Sequence, residues 1–396
     1  MFKLGGGGLD IQNFPGNLER SVVRVTTESN RPLPLRAREA FLARSNEFPD
    51  GFDIYMAFPQ NARALAQLPD GIKTVVLPND YDYLADGDVI RLEARKQALR
   101  VLYRRSSPHN SFLVTERCNH YCLMCSQPPK DQDDTWFVEE ILTTIPLVDR
   151  STKEICFTGG EPTLLGDNLI RILQSCKSYL PNTSLHILSN GRRFEDVNFT
   201  STYAAVQHPD MMVGIPIYSD VSTIHDYVVQ ADGAFDGTIR GILNLKQFGQ
   251  KVEIRVVIHN QTFRRLPQLA EFIARNLTFV DHVALMGLEI TGFTKANLEY
   301  LWIDPFDYSE ELSKAVRLLA DYGMNVSVYN HQLCILDRRL WPFARKSISD
   351  WKNEYMPECT GCTKINDCGG FFSSAKLRYS SHIRPINGKQ TVTFGI

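Results

Sequence analysis

Cys118-Asn-His-Tyr-Cys122-Leu-Met-Cys125, set directly after the apolar run Phe112–Thr115, is the stretch on which the reading of this chain turns. Three thiolates within eight residues can wrap one face of an iron–sulfur cubane and ligate three of its four irons. A bacterial ferredoxin motif would bring a fourth cysteine close by, ending in Cys-Pro. Here the next cysteine is Cys156, far along the chain, so one iron is left open for a ligand. The competing reading is a zinc site with His120 as fourth ligand, although zinc sites with short cysteine spacing normally come as two paired halves.

Outward from this stretch, apolar strands alternate with helical windows. Strands are expected at Phe112–Thr115, Glu154–Thr158, Leu185–Ser189, Met211–Tyr218, Val252–Ile258 and His282–Met286. Between them lie the amphipathic windows Phe137–Val148, Leu169–Tyr179, Phe235–Phe248 and Leu266–Arg275. The alternation argues for an α/β fold of about six βα units on a parallel sheet, either doubly wound or an incomplete barrel. In both, chemistry sits beyond the C-terminal ends of the strands.

Those ends carry further signals. The second strand runs into Gly159-Gly160-Glu161-Pro162, where paired glycines let backbone approach a ligand and a carboxylate can take an ammonium; an ordinary βα turn is the plain alternative. The third ends in Ser189-Asn190-Gly191, offering hydrogen bonds or a simple Asn-Gly turn. After the fourth come His225 and Asp226, which either face a substrate or serve as a helix cap and a satisfied polar pair. Arg255 and Glu289 are expected at the same rim.

Residues 1–105 lack catalytic motifs and are expected to form a small α+β domain, with short helices at Ala37–Arg44 and Asn61–Gln67. The barrel is expected over 106–305. Residues 306–396 begin with a helix near Ser309–Tyr322 and a strand near Asn325–Tyr329, then turn irregular and rich in Cys, Gly and aromatics. Such a segment needs another organiser, and a metal is the obvious one. Cys359-x2-Cys362-x5-Cys368, with Cys334 upstream, supplies four thiolates that can saturate a second cluster or a structural zinc; His331 is the fallback for Cys334. Cys156 and Cys176 fall within a strand and a helix and are expected to be buried apolar cysteines.

Composition narrows the classes. Of 396 residues, 43% are hydrophobic and 22% charged, with a net charge of −2, so a large core is available. The basic pairs are scattered rather than gathered in a phosphate-tracking stripe, which argues against nucleic acid as a partner. No apolar run is long enough for a membrane span, no signal core is seen at the start, and a cytoplasmic protein is expected. Nine cysteines, an odd number, mostly grouped in two clusters, favour metal ligation over disulfides.

C-x3-C-x2-C after the first strand resembles the signature of the radical S-adenosylmethionine (SAM) superfamily. The resemblance implies a partial (β/α)6 TIM-like barrel holding a [4Fe–4S] cluster on Cys118, Cys122 and Cys125, with SAM chelating the open iron. It places Met124 against the SAM adenine, and Gly159, Gly160, Glu161 and Pro162 around its methionyl amino group. Ser189 and Asn190 fall near its ribose and carboxylate. The C-terminal run resembles the core of SPASM domains, implying one auxiliary [4Fe–4S] cluster on Cys334, Cys359, Cys362 and Cys368. The pattern departs at Phe372, where SPASM domains continue with cysteine. Arg105–Asn110, Thr115–Asn119, Cys125–Pro129 and Leu340–Trp351 resemble the HxsC family, radical SAM maturases of His-Xaa-Ser peptide systems. That family implies a ribosomal precursor peptide with His-Xaa-Ser repeats, a partner radical SAM protein (HxsB), and an electron donor such as flavodoxin or ferredoxin. Two other readings stay open: a radical SAM enzyme acting on a small metabolite or tRNA, and a non-catalytic iron–sulfur or zinc scaffold that binds peptide.

Overall fold

Seven runs of alternating side chains between residues 109 and 329 set the architecture. The computed structural model describes residues 3–15, 20–346 and 354–387. Eight strands precede those runs: β1 (Gly5–Gly7), β2 (Asp10–Gln12), β3 (Ser21–Thr26), β4 (Glu39–Ala43), β5 (Ile54–Ala57), β6 (Lys73–Val76), β7 (Val89–Glu93) and β8 (Ala98–Tyr103). The seven that follow are β9 (His109–Thr115), β10 (Glu154–Gly159), β11 (Ser184–Leu188), β12 (Met211–Pro216), β13 (Lys251–Ile258), β14 (His282–Gly287) and β15 (Val326–Tyr329).

Strands β9 to β15 pair in parallel and in strict chain order. On β13, Val252, Ile254, Val256 and Ile258 join the large apolar core, while Glu253 and Arg255 face the other way. The period-two alternation repeats on β10 (Glu154, Cys156, Thr158), β11 (His186, Leu188) and β15 (Ser327, Tyr329). These inward side chains, with others from β9, β12 and β14, all line one cavity of about 780 Å³. Seven strands can share one cavity only if the sheet curls around it. The sheet is therefore an open, curved one around a polar lumen, with β9 and β15 as its edges. It has one strand more than the six units expected. The seventh, β15, falls in the segment read as extension, because the irregular sequence after Tyr329 masks its pairing with β14.

The N-terminal region departs further from expectation. Ala37–Arg44, expected as a helix, contains the fully buried strand β4. Burial on both faces removes the alternation that marks a strand, and a short apolar run has no period to separate the two. The eight strands form one mixed sheet in the order β1-β8-β7-β3-β4-β5-β6-β2. Strands β1 and β2 lie at opposite edges, yet Gly8 and Leu9 alone separate them in the chain. Three Cα steps reach about 11 Å, whereas the edges of a flat eight-stranded sheet stand roughly 34 Å apart. The sheet is thus rolled until its edges meet. Gln97 stitches the seam: its carbonyl accepts from Leu9 N, and its side chain bonds both Ile11 N at 2.7 Å and Ile11 O at 3.1 Å.

The rolled sheet sits against the larger one through Arg91, which pairs with Glu140 at 2.8 Å and lies over the Trp136 ring. Leu4, Tyr103 and Arg104 close the lumen at the end where the parallel strands begin. After Tyr329 the described chain holds short 3-10 segments and two isolated bridges, Val328–Ala344 and Glu354–Phe371. Residues 347–351 of the Leu340–Trp351 stretch lie outside the described residues.

Candidate active site

Strands β9 and β10 deliver their loops side by side at the far end of the lumen. Gly160 N donates to Thr115 O, and Glu161 N to Arg117 O, both at 2.8 Å. A Cβ on Gly159 would stand 2.2 Å from Thr115 O, and one on Gly160 would stand 2.0 Å from Arg117 O. The glycines are therefore required by the approach of the cysteine loop's own backbone, a nearer cause than the bound ligand expected from sequence.

Glu161 is buried and its carboxylate is already bracketed. Oε1 accepts from Thr163 N, Thr163 Oγ1 and Ser189 Oγ, and Oε2 accepts from Asn190 N at 2.6 Å. Burial pushes its carboxyl up, and these hydrogen bonds act against that. Glu161 thus draws Ser189 and Asn190 to the end of β10. Asn190 then reaches Asn119, inside the cysteine loop, at 2.7 Å. Pro162 opens the short 3-10 turn that follows. All of these sequence-expected residues come together.

The loop is held from two further sides by residues that sequence reading missed. Tyr121 N and Leu123 N donate to the carbonyls of Val229 and Val228, at the end of the helix Ser222–Val229. Beyond β14, Thr294 Oγ1 donates to Met124 O, Asn297 Nδ2 to Leu123 O, and Phe293 N to Cys125 O. Gly292 has φ +51°, and a Cβ there would stand 2.2 Å from Cys125 O. Asp134, fully buried, ties the loop's base by accepting from Thr115 Oγ1, Glu116 N and Arg117 Nε. Thr-Gly-Phe-Thr after a strand carries no periodicity, and Gly292 was its one legible signal.

Within this frame Cys118, Cys122 and Cys125 share one space. Burial is the main cause that pushes each thiol up, Cys118 to about 11, and the neighbouring thiols add to the effect at Cys118 and Cys122. Thiols so placed stay protonated until a metal centre binds the sulfur, and the proton is then released to solvent. Among the described residues no three His, Cys, Asp or Glu side chains converge on a point suited to one ion. The loop supplies three thiols and no fourth, the number that leaves one iron of a cubane open. His120 is buried with neither ring nitrogen hydrogen-bonded, and its charged neighbours are Arg192 and Asp226. Met124 is buried beside Tyr218 and Val228, in an apolar patch that also takes in Cys122.

His225 and Asp226 resolve as structure. Asp226 accepts from Gly233 N at 2.7 Å and Phe235 N at 2.8 Å, at the start of the helix Ala234–Gln247. His225 is buried, with its Nδ1 accepting from Tyr218 N. Arg255 lies inside the lumen rather than at its rim, and Glu289 lines the same cavity.

The second cysteine group also gathers. Cys334 and Cys359 flank one small apolar cluster. Burial first, then the nearby Cys368, pushes both of these thiols up. Cys362 accepts from Ile386 N through its sulfur. Both nitrogens of His331 are engaged, with the Tyr308 hydroxyl and Tyr329 O, which removes it as a fallback ligand. Phe372, in place of the expected further cysteine, lines the lumen mouth. Cys156 and Cys176 are buried as expected, Cys156 on the lumen wall.

Residues 112–273 match the family model of the Radical SAM superfamily, a superfamily of enzymes, and that match gives the class this segment resembles. Within that class, a pyruvate formate-lyase-activating enzyme from Clostridium pasteurianum is 26% identical over 202 residues, 46% of this chain and 78% of that protein. An Fe-coproporphyrin III synthase from Methanosarcina barkeri is 26% identical over 167 residues, covering 40% of this chain and 39% of the synthase. Among solved structures, Streptococcus suis SuiB bound to S-adenosylmethionine aligns with a TM-score of 0.45 at 16% identity, over 57% of this chain and 51% of SuiB. The chain therefore spans about half of SuiB and less of the synthase. Among the described residues no helix is long and apolar enough to cross a membrane.

Proposed function

We propose that the chain is a radical SAM maturase that oxidatively modifies a ribosomally made peptide with His-Xaa-Ser repeats, working with an HxsB-type partner. The observation that carries the reading is a half-buried loop presenting three thiols, locked to the Gly159–Glu161 and Ser189–Asn190 strand ends. A [4Fe–4S] cluster on Cys118, Cys122 and Cys125 with SAM bound supplies, when reduced by a donor such as flavodoxin or ferredoxin, the 5′-deoxyadenosyl radical.

The chain's own residues do the rest. Glu161 holds Ser189 and Asn190 against the loop, so the hydrogen-bonding groups stand fixed before a ligand arrives. Met124, Tyr218 and Val228 offer an apolar wall suited to an adenine. The lumen beneath, bounded at its base by Tyr103 and Leu4, gives room for a substrate group beside the cysteine loop. Cys334, Cys359, Cys362 and Cys368 suit an auxiliary cluster able to take up an electron, which fits an oxidative outcome. The peptide assignment rests on the resemblance of Arg105–Asn110, Thr115–Asn119, Cys125–Pro129 and Leu340–Trp351 to the HxsC family.

Anaerobic co-expression with a His-Xaa-Ser repeat peptide and the HxsB-type partner, read by mass spectrometry, tests it. A peptide lighter by two hydrogens, at a site mapped to His or Ser, is expected. An unchanged mass with both proteins present and iron-loaded contradicts the substrate assignment.

A further inference from the structure

Below the cysteine loop, one continuous cavity joins Ser126 and Gln127, beside Cys125, to Glu253 and His282 near its base, with Arg255 between them. The basal groups are organised around one carboxylate. Glu253 Oε1 accepts from Arg255 Nη1 at 2.6 Å, with His186 Nε2 3.5 Å away, and Oε2 meets His282 Nδ1 at 2.6 Å. His282 is fixed in turn by Ser327 Oγ at 2.9 Å. Arg255 is thereby anchored through one terminal nitrogen.

The other, Nη2, meets the thioether of Met286 at 3.4 Å, a weak acceptor. A guanidinium presents five donors in a planar fork that matches a carboxylate. Turned into the cavity with a sulfur for a partner, on a side chain that is 18% exposed, that edge keeps donor capacity a stronger acceptor could use. Gly214 keeps the space beside it clear. A Cβ there would stand 2.8 Å from His186 Nε2 and 3.0 Å from Arg255 Cδ. Of the other charged groups lining the cavity, Arg104 and Arg345 add positive charge, while Glu154, Asp281 and Glu289 oppose an anion.

We propose that the lumen takes a carboxylate of the substrate, held by the Nη2 edge of Arg255 upon its Glu253–His282 support. This rests on the proposed function and deepens it. The carboxylate anchors one end of the substrate group, and its separation from the cysteine loop selects which carbon is presented there for hydrogen removal. Arg255 is on this account a specificity-determining residue.

Carboxyl-13C propionate titrated into the anaerobic, cluster-loaded full chain tests this by saturable line broadening, with SAM affinity measured in parallel. The wild type is expected to bind saturably. Arg255→Met should weaken binding by about tenfold or more, as loss of a charge-assisted pair implies. Arg255→Lys should restore part of it, Gly214→Ala should weaken it by crowding, and SAM affinity should stay within about twofold, well under one such pair's worth. Equal broadening in the wild type and Arg255→Met, or no saturable broadening in the wild type, overturns the proposal. So does a parallel loss of SAM affinity, since the arginine would then hold the cofactor. A wild type that binds propionate through Arg255 yet makes no 5′-deoxyadenosine supports the carboxylate site and counts against the radical reading instead.

Discussion

At Gly160 a single missing Cβ keeps two loops in register, because Arg117 O lies where that carbon would be, 2.0 Å away. The obstacle is backbone, which cannot swing aside. Gly160→Ala should therefore displace the cysteine loop, with a loss of stability of about 2 kcal/mol for an overpacked site. Iron content after anaerobic reconstitution should fall well below that of the wild type, and normal iron loading would show that the contact is not needed. Glu253 supplies a residue-scale pH test. Burial alone would push its carboxyl up, but the His282 hydrogen bond and the nearby Arg255 and His186 hold it at about 2. A depressed carboxyl stabilises the fold fully above its ordinary value of 4.5 and loses that contribution as pH falls toward 2. Glu253→Gln strips Arg255 of its buried partner and should destabilise by about 3 kcal/mol at neutral pH. The gap in melting temperature should hold down to about pH 5 and narrow below it; a gap that is constant to pH 3 would contradict the assignment.

At the scale of elements, the helix Ala234–Gln247 begins on Gly233 at φ +67°, and its first amide groups are received by Asp226 from the preceding helix. Asp226→Ala should cost about 1 kcal/mol, as for a lost cap. Thermal unfolding should detect it, with SAM affinity unchanged; a selective loss of SAM binding would instead place Asp226 in the site. The same element shows what a sequence conveys. Parallel strands β9 to β14 and four of the helices between them were legible because apolar periodicity and turn residues agree there, and the cysteine loop because its spacing has few uses. The polar members of the lumen face, Glu253, Arg255 and His282, were each visible on alternate positions, but no local signal says that different strands point them at one cavity. Strand β4 was misread because two-sided burial erased its period. The clamp at Gly292, Thr294 and Asn297 was missed because its contacts lie some 170 residues away in the chain.

Across the whole molecule, a rolled N-terminal sheet closes the base of a curved parallel sheet whose other end carries the cysteine loop. Arg91 ties the two, pairing with Glu93 and Glu140 beneath the Trp136 ring while nearly buried. Arg91→Ala leaves Glu140 without this partner and should cost about 3 kcal/mol. Hydrogen exchange should then rise at Leu4 and Tyr103, along the lumen base; unchanged protection there would show that the closure does not depend on this contact. The proposed function depends on three thiols making a centre with one open position. Anaerobically reconstituted protein, given SAM and dithionite, measures this most directly. 5′-Deoxyadenosine is expected from the wild type and none from Cys122→Ala; a wild type that forms none at full iron loading, or that carries zinc in the loop, would contradict the proposed function.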